Sequence, residues 1–173
     1  MQDILLVIDM QNDFIDGALG TKEAEAIVPL VKEKIKNWDG PVFFTRDTHD
    51  ECYMVTQEGR NLPAPHCIRN TEGWQIRQEL DALRKTEAID KPTFGSTQLV
   101  HVLMQENDRE EIGSITLIGV CTDICVISNA MIVKAAFPEV PITVDSGCCA
   151  GVTPESHETA LQAMKMCQIR ILP

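Results

Sequence analysis

The stretch DILLVIDMQNDF occupies residues 3–14, and its first half, Ile4 to Ile8, is apolar without a break before the chain reaches Asp9. A strand with one face in water alternates apolar and polar residues. An unbroken apolar run reads as a strand buried on both faces, as in a parallel sheet covered by helices. The same pattern recurs in PVFFT (41–45), ITLIG (115–119), PITVD (141–145) and QIRIL (168–172), with a weaker strand, EAID (87–90), just before Lys91.

The segments between these runs have helical periodicity. Residues 21–38 place Ile27, Val31, Ile35 and Trp38 on one face, and residues 98–107, 123–136 and 155–166 also read as helices. The last is announced by Thr153 as N-cap and Pro154 at the first helical position. Alternation of this kind predicts an α/β fold: a three-layer αβα sandwich, Rossmann-type, around a mostly parallel sheet of about six strands. The 173 residues are expected to form one domain, 1–173.

Composition removes several classes of function. The net charge is −11, from 26 acidic against 15 basic residues, and no Lys/Arg cluster stands out. That excludes a nucleic-acid backbone binder and disfavours an anionic membrane surface as partner. No run approaches the ~20 apolar residues of a membrane span, and the N-terminal run is too short and too acidic at its flanks for a signal peptide. Seven cysteines, an odd number and scattered through apolar runs, suit a reducing compartment better than a disulfide framework, so a cytoplasmic location is expected.

In an open parallel sheet, ligands bind outside the carboxyl ends of the strands. Asp9 follows the first strand, Lys91 the weak one, and Cys125 follows the central strand in GVCTDICV, residues 119–126. Together an acid, a lysine and a thiol make a nucleophile site: Asp9 takes the thiol proton, and Lys91 and a helix start capped by Thr122 favour the thiolate. Singly, each residue reads as easily as a turn acid, a solvated lysine or a core thiol. Cys121 and Cys125 also invite reading as a metal or redox pair. Their spacing, like that of Cys148 and Cys149, fits no common structural zinc pattern.

A second constellation follows the second strand. Asp47 and His49 lie two apart, hence on one side of an extended segment, and His66 returns after a loop holding Glu58. One carboxylate and two imidazoles form a common first shell for a divalent transition metal. The competing reading of RDTHDE (46–51) is a solvated polar turn.

LLVIDMQNDF (5–14), the lysine of DKPTF (90–94), GVCTDICV and the C-terminal DSGCCAGVTPESHETAL (145–161) together resemble the cysteine hydrolases of the isochorismatase-like superfamily, over nearly the whole chain. The resemblance implies that Asp9, Lys91 and Cys125 form the catalytic triad. It also implies a cis Val120–Cys121 bond and an oxyanion hole from the Cys121 and Cys125 amides, with Asp123 supporting the turn. Asp47, His49, Glu58 and His66 are similar to the metal ligands of the nicotinamidase branch, whereas isochorismatases proper lack that set.

The implied activity is metal-dependent hydrolysis of nicotinamide to nicotinate and ammonia through a thioester. It implies one divalent ion, zinc foremost with iron or manganese as options, and Phe14, Leu62, Phe94 and Cys121 as substrate contacts. A homo-oligomer is also implied. The alternatives are a different small amide, isochorismate, or a non-enzymatic partner-binding member of the superfamily. Two departures bear on the substrate. FGST (94–97) stands where the family often has Phe-Ser-x-Phe, and Asp50 follows His49 where proline is common.

Overall fold

The computed structural model describes residues 1–173. Six strands form one sheet: β1 (Gln2–Ile8), β2 (Val42–Asp47), β3 (Ile89–Lys91), β4 (Ile112–Val120), β5 (Ile142–Ala150) and β6 (Arg170–Leu172). Their order is β3-β2-β1-β4-β5-β6, and every pairing is parallel, so the expected mostly parallel sheet is wholly so. Ile4 to Ile8 are completely buried, as their unbroken apolarity requires. Ile4, Leu6 and Ile8 feed the core on one face, and Leu5 and Val7 the core on the other.

Seven α-helices accompany the sheet: α1 (Asn12–Ile15), α2 (Lys22–Lys36), α3 (Gln57–Asn61), α4 (Gln78–Asp81), α5 (Thr97–Arg109), α6 (Ile127–Ala136) and α7 (Pro154–Met166). The core with Leu5 and Val7 takes Ile27, Val28, Val31 and Ile35 from α2 and Leu80 from α4. The opposite core takes Leu99 and Leu103 from α5, Val133 from α6, and Leu161 and Met164 from α7. This is the three-layer αβα arrangement expected. No helix is long and apolar enough to cross a membrane, and all seven cysteines are free thiols.

Several boundaries differ from the sequence reading, each for a local reason. Trp38 lies beyond the end of α2, where its indole N–H donates to the Asp3 carbonyl at 3.1 Å. Helix α2 runs through Pro29, which is exposed, while Ala24, Ile27, Val28, Val31 and Ile35 bury the opposite face. β5 continues through Gly147 and Cys148 to Ala150, well past Asp145. The helix expected from 123 begins as a π-helical turn, Thr122–Val126, before α6. Thr122 does not cap it: the position before the turn is Cys121, without a side-chain cap, and the Thr122 hydroxyl bonds His157 instead.

The strand order reverses between β1 and β4. On one side the chain steps outward to β2 and β3, on the other to β5 and β6. Such a switch point opens a crevice at the carboxyl ends of the two central strands. Asp9 follows β1 and Cys121–Cys125 follow β4, so both lie at that crevice.

Candidate active site

Lys91, the last residue of β3, is fully buried. Its Nζ stands 2.6 Å from Asp9 Oδ2, 3.3 Å from Asp47 Oδ1 and 3.5 Å from Cys125 Sγ, and it donates to the Thr93 carbonyl at 3.1 Å. An ammonium has three donors for these four neighbours, and the Asp9 carboxylate is the nearest of them. The Asp9 contact is a charge-assisted ion pair, buried on both sides. The other carboxylate oxygen, Oδ1, accepts from the Thr45 hydroxyl at 2.7 Å. Asp9 itself has a positive φ of 47°, a conformation aspartate tolerates better than most residues.

Burial is the largest single influence on each of these groups, and their neighbours decide whether it prevails. It pushes the Asp9 carboxyl above its ordinary range despite the opposing Lys91 ammonium. Burial also works against the Lys91 charge, but Asp9, Cys125 and Asp47 outweigh it and hold the ammonium charged above the usual lysine range. For Cys125, burial comes first and the Asp9 charge second, and together they push the thiol well above its ordinary value although Lys91 pulls the other way. The expectation of a lowered thiol pKa is therefore corrected. The arrangement is a buried thiol and a buried carboxyl, both held above their ordinary ranges, beside a buried ammonium.

Asp47 faces two ways. Its Oδ1 meets Lys91, while its Oδ2 lies 2.9 Å from His49 Nε2 and 3.5 Å from His66 Nε2. Glu58 Oε1 lies 3.5 Å and 3.6 Å from the same two nitrogens. Burial pushes the Asp47 carboxyl up, but hydrogen bonds from both imidazoles and the Lys91 charge prevail and hold it well below the carboxylate range. One ligand atom from each of these four residues lies within 4.8 Å of the others. Ligands at tetrahedral zinc distances stand ~3.4 Å apart, so small side-chain movements would bring the four onto one divalent ion. The His66 ring is held by Nδ1 on the Ala64 carbonyl at 2.8 Å, the backing that turns Nε2 inward.

The other expected residues divide. Phe14 is buried and tilts its ring against His66, 5.4 Å between centroids. Leu62 and Phe94 are each 41% exposed, on the loops carrying the metal-site and lysine segments. Cys121 is half-buried; the Val120–Cys121 bond is cis, and the Cys121 N–H has no acceptor in the protein. Asp123 accepts from the Val152 amide at 3.1 Å, fastening the turn to the loop before α7. Gly95 packs against Ile132 of α6, where a Cβ would collide with its methyl.

Several supporting residues were not legible as such. Gln11 is fully buried and clamps the end of β2: its carbonyl accepts from the Asp47 N–H at 2.7 Å. Its amide donates to the Asp47 and Trp74 carbonyls at 2.8 and 2.9 Å. Asn129 donates to the carbonyls of Cys125 (2.8 Å) and Phe94 (3.0 Å) and accepts from the Ser96 N–H, joining the cysteine turn to the lysine loop. Tyr53 lies edge-on to His49 and His66, and its hydroxyl donates to the Leu62 carbonyl. Gln11 lies in the opening stretch, but its partners come from residues 36 and 63 positions away. No local pattern could have named them.

Comparison with known proteins gives a consistent result. The family model for the isochorismatase domain matches residues 3–172. A Bacillus subtilis (strain 168) protein described as the uncharacterized isochorismatase family protein PncA is 34% identical over 174 residues, covering 93% of each chain. The pyrazinamidase of Pyrococcus horikoshii, solved in complex with zinc, superposes with a TM-score of 0.81 at 28% identity, over 99% of both chains. The solved nicotinamidase/pyrazinamidase PncA from Bacillus subtilis matches with a TM-score of 0.81 at 28% identity over the full length of both.

Proposed function

The chain belongs to the isochorismatase domain family, and from that premise we propose that it is a nicotinamidase, hydrolysing nicotinamide to nicotinate and ammonia. The observation that supports this most directly is the placement of Lys91. One buried ammonium touches the Asp9 and Cys125 pair and, through Asp47, the two-histidine cup. An amidase site and a transition-metal site thus share a wall, which suits a small amide carrying a ring nitrogen.

In this reading Asp9 Oδ2, the oxygen that the Thr45 hydroxyl leaves free, accepts the Cys125 proton as the sulfur attacks the carboxamide carbon. Its raised basicity favours that transfer, and Lys91 keeps the cluster's charge balanced throughout. The oxyanion forms against the Cys121 and Cys125 amides. Asp9 returns the proton to nitrogen as the C–N bond breaks and ammonia leaves, giving a thioester on Cys125. Asp9 then takes a proton from water, whose oxygen attacks the thioester carbon. The C–S bond breaks, nicotinate leaves, and the thiol recovers its proton.

Asp47, His49, Glu58 and His66 would hold a divalent ion, zinc first by the chemistry of two imidazoles and two carboxylates. Bound there, the ion supplies a Lewis-acid position for the pyridine nitrogen. Phe14 walls the site beside His66, and Phe94 and Leu62, both partly exposed, are the further apolar contacts for the ring.

Ammonia release from nicotinamide by the zinc-loaded protein tests the reading, with Cys125→Ala alongside. Release by the wild type and a loss of about a thousandfold or more in the variant is expected. Undiminished release by the variant would remove Cys125 as nucleophile. A folded, zinc-loaded wild type that leaves nicotinamide intact but hydrolyses another small amide would remove the substrate.

A further inference from the structure

The nucleophile turn is bolted to the start of α7 at two points. The Asp123 carboxylate accepts from the Val152 N–H, and the Thr122 hydroxyl bonds His157 Nδ1 at 2.8 Å. Thr122 is completely buried at the head of the π-helical turn, directly after Cys121, and His157 is its side-chain partner. The turn's backbone bonds also converge there: the Cys121 carbonyl accepts from the Ile124 and Val126 amides, and the Thr122 carbonyl from the Ile127 amide. Moving Thr122 therefore moves the segment that carries the unpaired Cys121 N–H.

The α7 side of the contact is equally fixed. Thr153 and Ser156 form a reciprocal capping box. A Cβ at Gly151 would stand 2.9 Å from His157 Cβ, so only glycine lets the chain pass this close. The imidazole beside it borders a cavity of about 330 Å³ whose lining includes Glu23, Cys149 and Glu158. Truncating His157 therefore enlarges a space that is already open and leaves the closed core intact.

We propose that His157 is a positioning residue for the oxyanion hole, holding Thr122 so that the Cys121 amide faces the carbonyl oxygen of a bound acyl group. The contact lies on the side of the turn joined to α7, whereas the Cys125 thiol is served by Asp9 and Lys91 from β1 and β3. His157 thus acts on the oxyanion and not on the formation of the nucleophile. The inference rests on the acyl-transfer reading above but not on nicotinamide as substrate.

Two reagents separate the roles. Acylation of Cys125 by p-nitrophenyl acetate passes through an oxyanion: the C–S bond forms, the ester C–O bond breaks, and p-nitrophenolate leaves. Alkylation by iodoacetamide displaces iodide at a saturated carbon and has none. Acylation is read as p-nitrophenolate release above the background of Cys125→Ala, because the thioester is itself hydrolysed, and alkylation is read at Cys125 by peptide mass mapping, in the wild type, His157→Ala, His157→Asn and Thr122→Val. His157→Ala and Thr122→Val are expected to slow acylation at least tenfold while alkylation stays within twofold. His157→Asn, whose side-chain amide reaches the Nδ1 position, is expected to recover acylation to within about threefold of the wild type. The double variant Thr122→Val/His157→Ala should be no slower than either single one.

Unchanged acylation in both single variants would overturn the proposal, as would an equal fall in both reactions or an asparagine variant no better than alanine. A wild type alkylated but not acylated at Cys125 would overturn it at its premise. The nicotinamide reading fails separately, by the absence of ammonia release.

Discussion

Lys91 is the residue on which the site turns. It is an uninterrupted buried cation with carboxylates on two sides and a thiol on the third. Replacing it with methionine, close in size, leaves Asp9 and Asp47 facing each other without a counter-charge. Removing one partner of a buried ionic cluster costs about 3–5 kcal/mol. Lys91→Met is thus expected to lose that much in urea unfolding and to lose turnover as well; stability within 1 kcal/mol of the wild type, on that scale, would contradict the account. The raised Cys125 pKa belongs to the same scale. A short motif suggested an activated thiolate because it shows a lysine and a helix start, but not the burial that outweighs both.

At the scale of elements, the carboxyl end of β4 is the part under most constraint. Gly119 has φ of +119°, pairs with Ile8 of β1, and a Cβ there would run into the Ile8 backbone carbonyl. Gly119→Ala combines a disfavoured backbone conformation with a clash against backbone that cannot yield, and should cost ~3 kcal/mol or more. Urea titration measures it, and a loss below 1 kcal/mol, on the same basis, would contradict the placement of this strand end. Thr153→Ala removes one half of the α7 capping box and is expected to cost about 1 kcal/mol. A neutral result in the same titration would mean the cap is not formed in solution.

For the molecule as a whole, the candidate metal cup draws its residues from β2, the loop after it, α3 and the segment at His66, so a bound ion would tie separate segments together. A ligand bound only to the folded state at 100 times its Kd stabilises by about 2.7 kcal/mol. Chelation of the zinc-loaded protein should therefore lower Tm by several degrees, zinc should restore it, and His66→Ala should abolish both changes. A Tm indifferent to zinc would argue against the cup as a metal site. Thiol labelling with maleimide at pH 8 reads the burial pattern. Cys52 and Cys167 are exposed and should label first. Burial pushes the Cys148 thiol up to about 11 and those of Cys67 and Cys149 higher, so these stay protonated and protected. Rapid labelling of Cys149 would contradict the packing of β5.

The strands, their burial on both faces and the layers of helix around them were legible in residue order, because periodicity and apolar runs are local properties that burial later satisfies. Asp9, Lys91, Cys125, Asp47 and His49 could be picked out as candidates because each lies at or shortly after a strand end, and parallel strands deliver their ends to one edge. Glu58 and His66, far along the loop after β2, were singled out by residue type and by the family resemblance. Other features depended on the tertiary structure. They include Asp47 serving Lys91 as well as the histidines, the clamp made by Gln11, the crossing of Asn129 to the lysine loop, and Thr122 bonding His157 rather than capping a helix. Burial rather than nearby charge governs the Cys125 thiol for the same reason. These are facts of distance and solvent exclusion between residues tens of positions apart, and they come into being only when the sheet and its two helical layers close.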